Sequence, residues 1–107
     1  MAPDGSKTLD GLYTLWFPSG QKQYEATYVD GHLHGTERQW HENGQLRVEQ
    51  HYDHGLRHGP RYDWSASGQL RKEEHYDQDQ PHGAWSIWDG SGKLKWQGRF
   101  AHGQPLP

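Results

Sequence analysis

The sequence predicts an all-β chain: a single-layer, open-sided antiparallel β-meander built from four 24-residue β-hairpin repeats. Three observations carry that expectation. Asp10-Gly11, His34-Gly35, His58-Gly59 and His82-Gly83 follow one another at intervals of 24 residues, with no insertion. Three more columns share the frame: Trp16, Trp40, Trp64 and Trp88; Gly20, Gly44, Gly68 and Gly92; Tyr28, Tyr52, Tyr76 and Phe100. A period of this length marks units that stack on their neighbours. Composition is the third observation. Leu, Ile, Val and Phe number only 14 of 107 residues, and Trp, Tyr and Phe also number 14. The core must then be thin and aromatic, which one sheet can supply and a sandwich cannot.

The repeats run over about 9–31, 32–55, 56–79 and 80–103, between a flexible N-terminal tail (1–8) and a loose C-terminal tail (104–107). Each unit divides at its middle glycine into two strands, for example Gly35–His41 and Gln45–Tyr52. Between them lies Glu42-Asn43-Gly44, matched by Pro18-Ser19-Gly20, Ala66-Ser67-Gly68 and Gly90-Ser91-Gly92. Asn-Gly is a strong hairpin signal, and the constant glycine supplies the positive φ that the turn requires. A second turn joins the units. At the third junction Asp79 stands where glycine is expected, and Asp tolerates the left-handed region better than most residues. Eight strands and no helix result.

Strand alternation assigns the faces. On unbroken period 2, Leu46, Val48, Gln50 and Tyr52 share one face, while Arg47, Glu49 and His51 share the other. The tryptophan column shares its face with Thr14, Arg38, Tyr62 and Ser86. The expectation is that the Trp, Leu and Tyr columns form one aromatic stripe; Trp16, Trp40, Trp64, Trp88, Tyr28, Tyr52, Tyr76 and Phe100, with the glycines Gly35, Gly59 and Gly83, are the structural repeat positions. The end units add apolar residues on the opposite face, Tyr13, Leu15 and Phe17 at one end and Trp85 and Ile87 at the other. An aromatic side chain on a partly open sheet can also anchor a partner. Tyr13, Leu15, Phe17, Tyr62, Trp85, Ile87 and Trp96 are therefore the candidate partner-binding residues.

The segments Tyr28-Val29-Asp30-Gly31-His32-Leu33-His34-Gly35 and Tyr52-Asp53-His54-Gly55-Leu56-Arg57-His58-Gly59 resemble the MORN repeat. Trp40-His41-Glu42-Asn43-Gly44-Gln45-Leu46 looks like its bacterial variant, found in YwqK-like proteins labelled antitoxins. The resemblance spans about residues 9–103. It implies an open β-meander and a binding or scaffolding module. In the YwqK-like group it implies an antitoxin or immunity protein that masks a toxin. Asp79 and Asp10 depart from the pattern, the second suggesting an end cap.

Chemistry has little footing. The nine histidines invite a metal, yet His34, His58 and His82 sit roughly 9.6 Å apart by strand spacing. One zinc ion needs each nitrogen at about 2.0–2.1 Å, so the column cannot share it. The expectation is no metal site, with each imidazole bonding backbone in its turn. Local pairs such as His32 with His34, or His54 with His58, offer only adventitious binding. Gly90-Ser91-Gly92-Lys93 lacks the full phosphate-loop pattern and a following helix. No Gly-x-Ser-x-Gly nucleophile motif is present, and Glu73 and Glu74 point to opposite faces. The chain is expected to be non-catalytic and without a cofactor.

The leading functional expectation is a protein-binding repeat module that neutralises a toxin by steric masking. The alternatives are a peripheral binder of membrane lipid headgroups and a structural or self-assembling scaffold. A homodimer through the end repeats is a further expectation. With 11 basic against 14 acidic residues and no basic block, a nucleic-acid partner has no footprint and anionic lipid is disfavoured. No cysteine is present and Met1–Asp10 holds no apolar stretch, so a cytoplasmic location is expected.

Overall fold

The computed structural model describes residues 9–107; the expected N-terminal tail, residues 1–8, lies outside the described residues. The strands are β1 (Gly11–Trp16), β2 (Lys22–Val29), β3 (His32–Leu33), β4 (Gly35–Trp40), β5 (Leu46–Asp53), β6 (Leu56–Trp64), β7 (Leu70–Asp77), β8 (Gln80–Pro81), β9 (Gly83–Trp88), β10 (Leu94–Ala101) and β11 (Gln104–Pro105). All belong to one sheet in the order β1-β2-β4-β5-β6-β7-β9-β10-β11, with β3 on β2 and β8 on β7. Every pairing is antiparallel. The molecule measures 50 × 37 × 14 Å, and the short axis is that of a single layer. No helix occurs among the described residues.

Two turn types alternate. Within a unit, Gly44 N–H donates to His41 C=O (3.0 Å) and His41 N–H to Gln45 C=O (2.8 Å), and the other three units repeat this loop. The glycine lies at φ near +90° in each. Between units the turn is a two-residue hairpin with both central residues at positive φ, as in His54 (50°) and Gly55 (87°). At the third junction the pair is Gln78 (49°) and Asp79 (70°), so Asp79 does take the glycine's conformation.

These tight turns explain why eleven strands replace the expected eight. β3 and β8 are the two residues that continue the junction turn, before the register slips at His34-Gly35 and His82-Gly83. In the third unit the strand runs unbroken as β6. The C-terminal residues are also paired rather than loose. Gln104 and Pro105 close a fourth such turn against Ala101 and Phe100.

One expectation about the faces is overturned. Trp40 pairs with Leu46, but Gln39 pairs with Val48, so Arg47 is an extra residue in β5. Arg71 in β7 and Lys95 in β10 are inserted in the same way, and Gln23 opposite the Leu15–Trp16 step. A one-residue bulge sends every later side chain to the other face. The Leu column therefore stays with the Trp column, and the Tyr column moves to the opposite face. Tyr62 confirms the split. It lies across from Glu49 and Glu73, and its ring meets Trp64 at 5.6 Å. Tyr52 and Tyr76 lie on the other side, with Tyr13, Ala26, Val48 and Trp85. The core belongs to this tyrosine face, where Ala26, Glu37, Val48, Gln50 and Tyr76 are buried.

Candidate partner-binding face

The tyrosine face has three zones. At the N-terminal end Tyr13 meets Tyr24 and Tyr28 edge-on, with ring centroids 6.2 and 6.3 Å apart. Leu15, across from Tyr24, remains exposed. At the C-terminal end the rings form a chain: Tyr76 to Trp85 (5.5 Å), Trp85 to Phe100 (5.0 Å), Phe100 to Trp96 (6.3 Å). Trp85 is anchored by its indole N–H, which donates to His75 C=O at 2.9 Å. The Trp96 indole lies against Gly98, where an added Cβ would meet it at 2.7 Å. Ile87 sits between Lys72 and Trp96.

The middle zone is polar. The Tyr24 phenol donates to Glu37 at 2.7 Å. Arg61 donates to both oxygens of Asp63, at 2.9 and 3.2 Å, and lies 4.0 Å from Glu74. Its third contact is the fully buried Gln50, at 3.5 Å. The Tyr76 phenol donates to Glu74 (3.0 Å), and the Arg57 guanidinium lies 4.2 Å above the Tyr76 ring. Among the described residues no buried side-chain nitrogen or oxygen lacks a partner. Burial, reinforced by the Glu74 carboxylate, pushes the Tyr76 phenol up to about 12. Burial first, and then Glu37, raises Tyr24 and Tyr52 as well. These carboxylates are thus satisfied acceptors that hold phenols in their neutral form. They are not free bases.

Two candidates fall elsewhere. Tyr62 is on the tryptophan face. Phe17, expected opposite the tryptophans, lies beyond the end of β1 and lines an open groove with Trp40, His41, Asn43 and Arg47. Exposed apolar residues outside the expected anchors include Leu12 (66%), Trp16 (57%) and Leu94 (47%), with Leu9, Val29, Leu56 and Leu106 also exposed. Trp16 fills a structural repeat position in the sequence, but it occupies β1, which has no outer neighbour among the described residues. Its place in the first unit was the only available signal.

The histidine column bonds backbone, as expected, at two positions. His34 Nδ1 accepts from His54 N–H (3.2 Å), and His82 Nδ1 accepts from His102 N–H (3.1 Å). Asp10 does the same for Asp30 N–H at 2.9 Å, as its place at the head of the column implies. The Gly90-Ser91-Gly92-Lys93 segment is the fourth copy of the loop within a unit, where Asp89 N–H donates to Lys93 C=O.

The family model of the MORN repeat variant matches residues 9–30, 33–54 and 57–78. The chain belongs to this family. No curated protein matches it. The three matched MORN repeats are the first three units of the 24-residue frame. The fourth unit, β8–β10, follows the same plan. MORN repeats are binding and repeat modules, and among the described residues no helix is long and apolar enough to cross a membrane.

The departure at Asp79 has a measurable consequence. Its carboxylate accepts from Arg57 Nε (2.6 Å) and Arg57 N–H (3.3 Å), and those bonds hold it below the usual carboxylate range. A depressed folded-state pKa contributes stability above the unfolded value, and that stability is lost as pH falls through the folded one. Asp79→Asn should therefore flatten the acid limb of the melting curve between about pH 4.5 and 3, relative to the parent. Circular-dichroism melts across that range are the check. Parallel acid limbs for parent and variant would mean that the Arg57 pair carries no stability.

Proposed function

We propose that the chain is a protein-binding module whose end units engage the partner, and that the partner is a toxin it neutralises by covering its surface. The observation that carries this reading is the distribution of exposed apolar side chains. Leu12, Tyr13, Leu15 and Trp16 cluster as exposed residues at one end of the sheet, and Leu94 and Trp96 at the other, whereas Val29 and Leu56 are exposed singly beside the turns between units. The middle of the tyrosine face is closed by hydrogen bonds and offers no comparable anchor. Large aromatic and aliphatic side chains held on strands lose little entropy on binding and suit an interface centre. The toxin itself is suggested by the resemblance to YwqK-like antitoxins.

The test is co-expression with the neighbouring open reading frame. The expected result is a stoichiometric complex and rescue of growth. Leu15→Glu and Trp96→Ser change exposed residues, so each should fold as the parent does. Each should weaken the complex by tenfold or more, measured by titration calorimetry. A neighbour that neither binds nor impairs growth would remove the toxin. Full affinity in both variants would remove the end units as the contact.

A further inference from the structure

We infer that His34, Asp53 and His54 form a binding site for a zinc-class divalent ion at the junction of the second and third units. Their donor atoms all lie within 4.8 Å of one another. Asp53 Oδ1 is 2.6 Å from His54 Nδ1 and 3.7 Å from His34 Nδ1, and the two imidazole rings are 4.9 Å apart. Metal–ligand bonds of about 2.0–2.2 Å in a tetrahedron place donors roughly 3.3 Å apart. The existing spacings reach that with small side-chain rotations. His54 is 80% exposed and Asp53 is 56% exposed, so both can make them. Two imidazoles and one carboxylate are borderline donors, which favour zinc, nickel or copper over magnesium or calcium. The fourth position stays open to water.

Column spacing hides this site, because its members come from different columns. The junction turn folds back and carries His54 onto the side chain 20 residues earlier, as the His54 N–H to His34 Nδ1 bond records. Binding would exchange that exposed 3.2 Å hydrogen bond, and the 2.6 Å bond between His54 Nδ1 and Asp53, for metal bonds.

The repeat supplies its own controls. The same three positions hold Asp10, Val29 and Asp30 at the first junction, with no imidazole. At the third they are His58, Asp77 and Gln78, where an amide replaces the second imidazole. At the C-terminal turn His82 and His102 stack at 4.6 Å, but Ala101 replaces the carboxylate. All four turns form, so the turn itself does not require the combination of His, Asp and His. Only the second junction carries the complete donor set.

The experiment titrates zinc chloride into the full chain after chelator treatment, followed by calorimetry and melting temperature. The expected result is one ion per chain, a melting temperature that rises with zinc, and no response to magnesium chloride. His54→Asn keeps a residue that accepts positive φ, and Asp53→Asn leaves the turn untouched. Each should weaken zinc binding by at least tenfold. His102→Asn should leave it unchanged. Should His54→Asn fail to fold, Asp53→Asn decides alone. Absence of heat and of thermal shift would overturn the assignment. So would parental affinity in Asp53→Asn, or a loss in His102→Asn as large as that in Asp53→Asn.

Discussion

Replacing Tyr76 with alanine should lower the melting temperature by about 12 °C. Tyr76 is buried beneath the Arg57 guanidinium, against Trp85, with its phenol on Glu74. Removing a buried aromatic costs about 3–5 kcal/mol, and the lower end applies here because one layer lets water into the gap. At about 4 °C per kcal/mol for a chain of this size, the loss is easily read. Tyr76→Phe keeps the ring and loses only the phenol bond, so about 1 kcal/mol is expected. The same pair of variants tests the alkaline limb. A phenol raised in the folded state contributes stability that is complete below the unfolded value near 10 and lost as pH rises towards 12. Tyr76→Phe should therefore hold its remaining stability better than the parent between those values. Tyrosinate absorbance followed alongside circular dichroism would show it. A loss under 1 kcal/mol in Tyr76→Ala would mean that the tyrosine face is not the core.

That core was only half legible in the sequence. The 24-residue frame placed every unit, and the glycine columns placed both turns, because a positive φ leaves a residue-type signature. Asp79 could be read as a left-handed residue for the same reason. Faces were not legible. A bulge adds one residue to a strand without changing its composition, so Leu46 and Val48 look like neighbours on one face until Arg47 is seen to be unpaired. Tyr13, Leu15, Trp85 and Ile87 keep their expected face because no extra residue interrupts their own strands. What changed is their company: the Tyr column joins them, and the Trp column does not. Gln50 and Glu37 were illegible as core residues, since nothing in a polar side chain announces burial before its partners are known. The His34–His54 approach was hidden by similar logic. A ruler of strand spacings measures distances within a column, whereas the turn brings neighbouring columns together.

Arg61 shows why the middle of the face is closed, and Arg61→Met should cost about 2–3 kcal/mol, near 10 °C in melting temperature. Methionine keeps an unbranched stem out to the ε position but removes the guanidinium and its five donors. Asp63 and Glu74 would then lose the cation they share, leaving only Lys72 across the strand from Asp63, and the buried Gln50 would lose its contact. Breaking a fully buried ion pair costs about 3–5 kcal/mol; the Arg61 side chain is 32% exposed, so the figure is discounted. Arg61→Lys restores the charge but not the fork that grips both oxygens of Asp63, and should recover only part of the loss. The decisive comparison is the double variant Arg61→Met with Glu74→Gln. It removes one of the stranded carboxylates, so it should be more stable than Arg61→Met alone, although Glu74→Gln by itself is destabilising through Tyr76. A double variant no better than the single one would show that the charges are separately solvated. The central zone would then be a wet surface open to a partner. If the coupling is found, the network is a sealed patch, and only the aromatic ends of the sheet are left to make a dry contact.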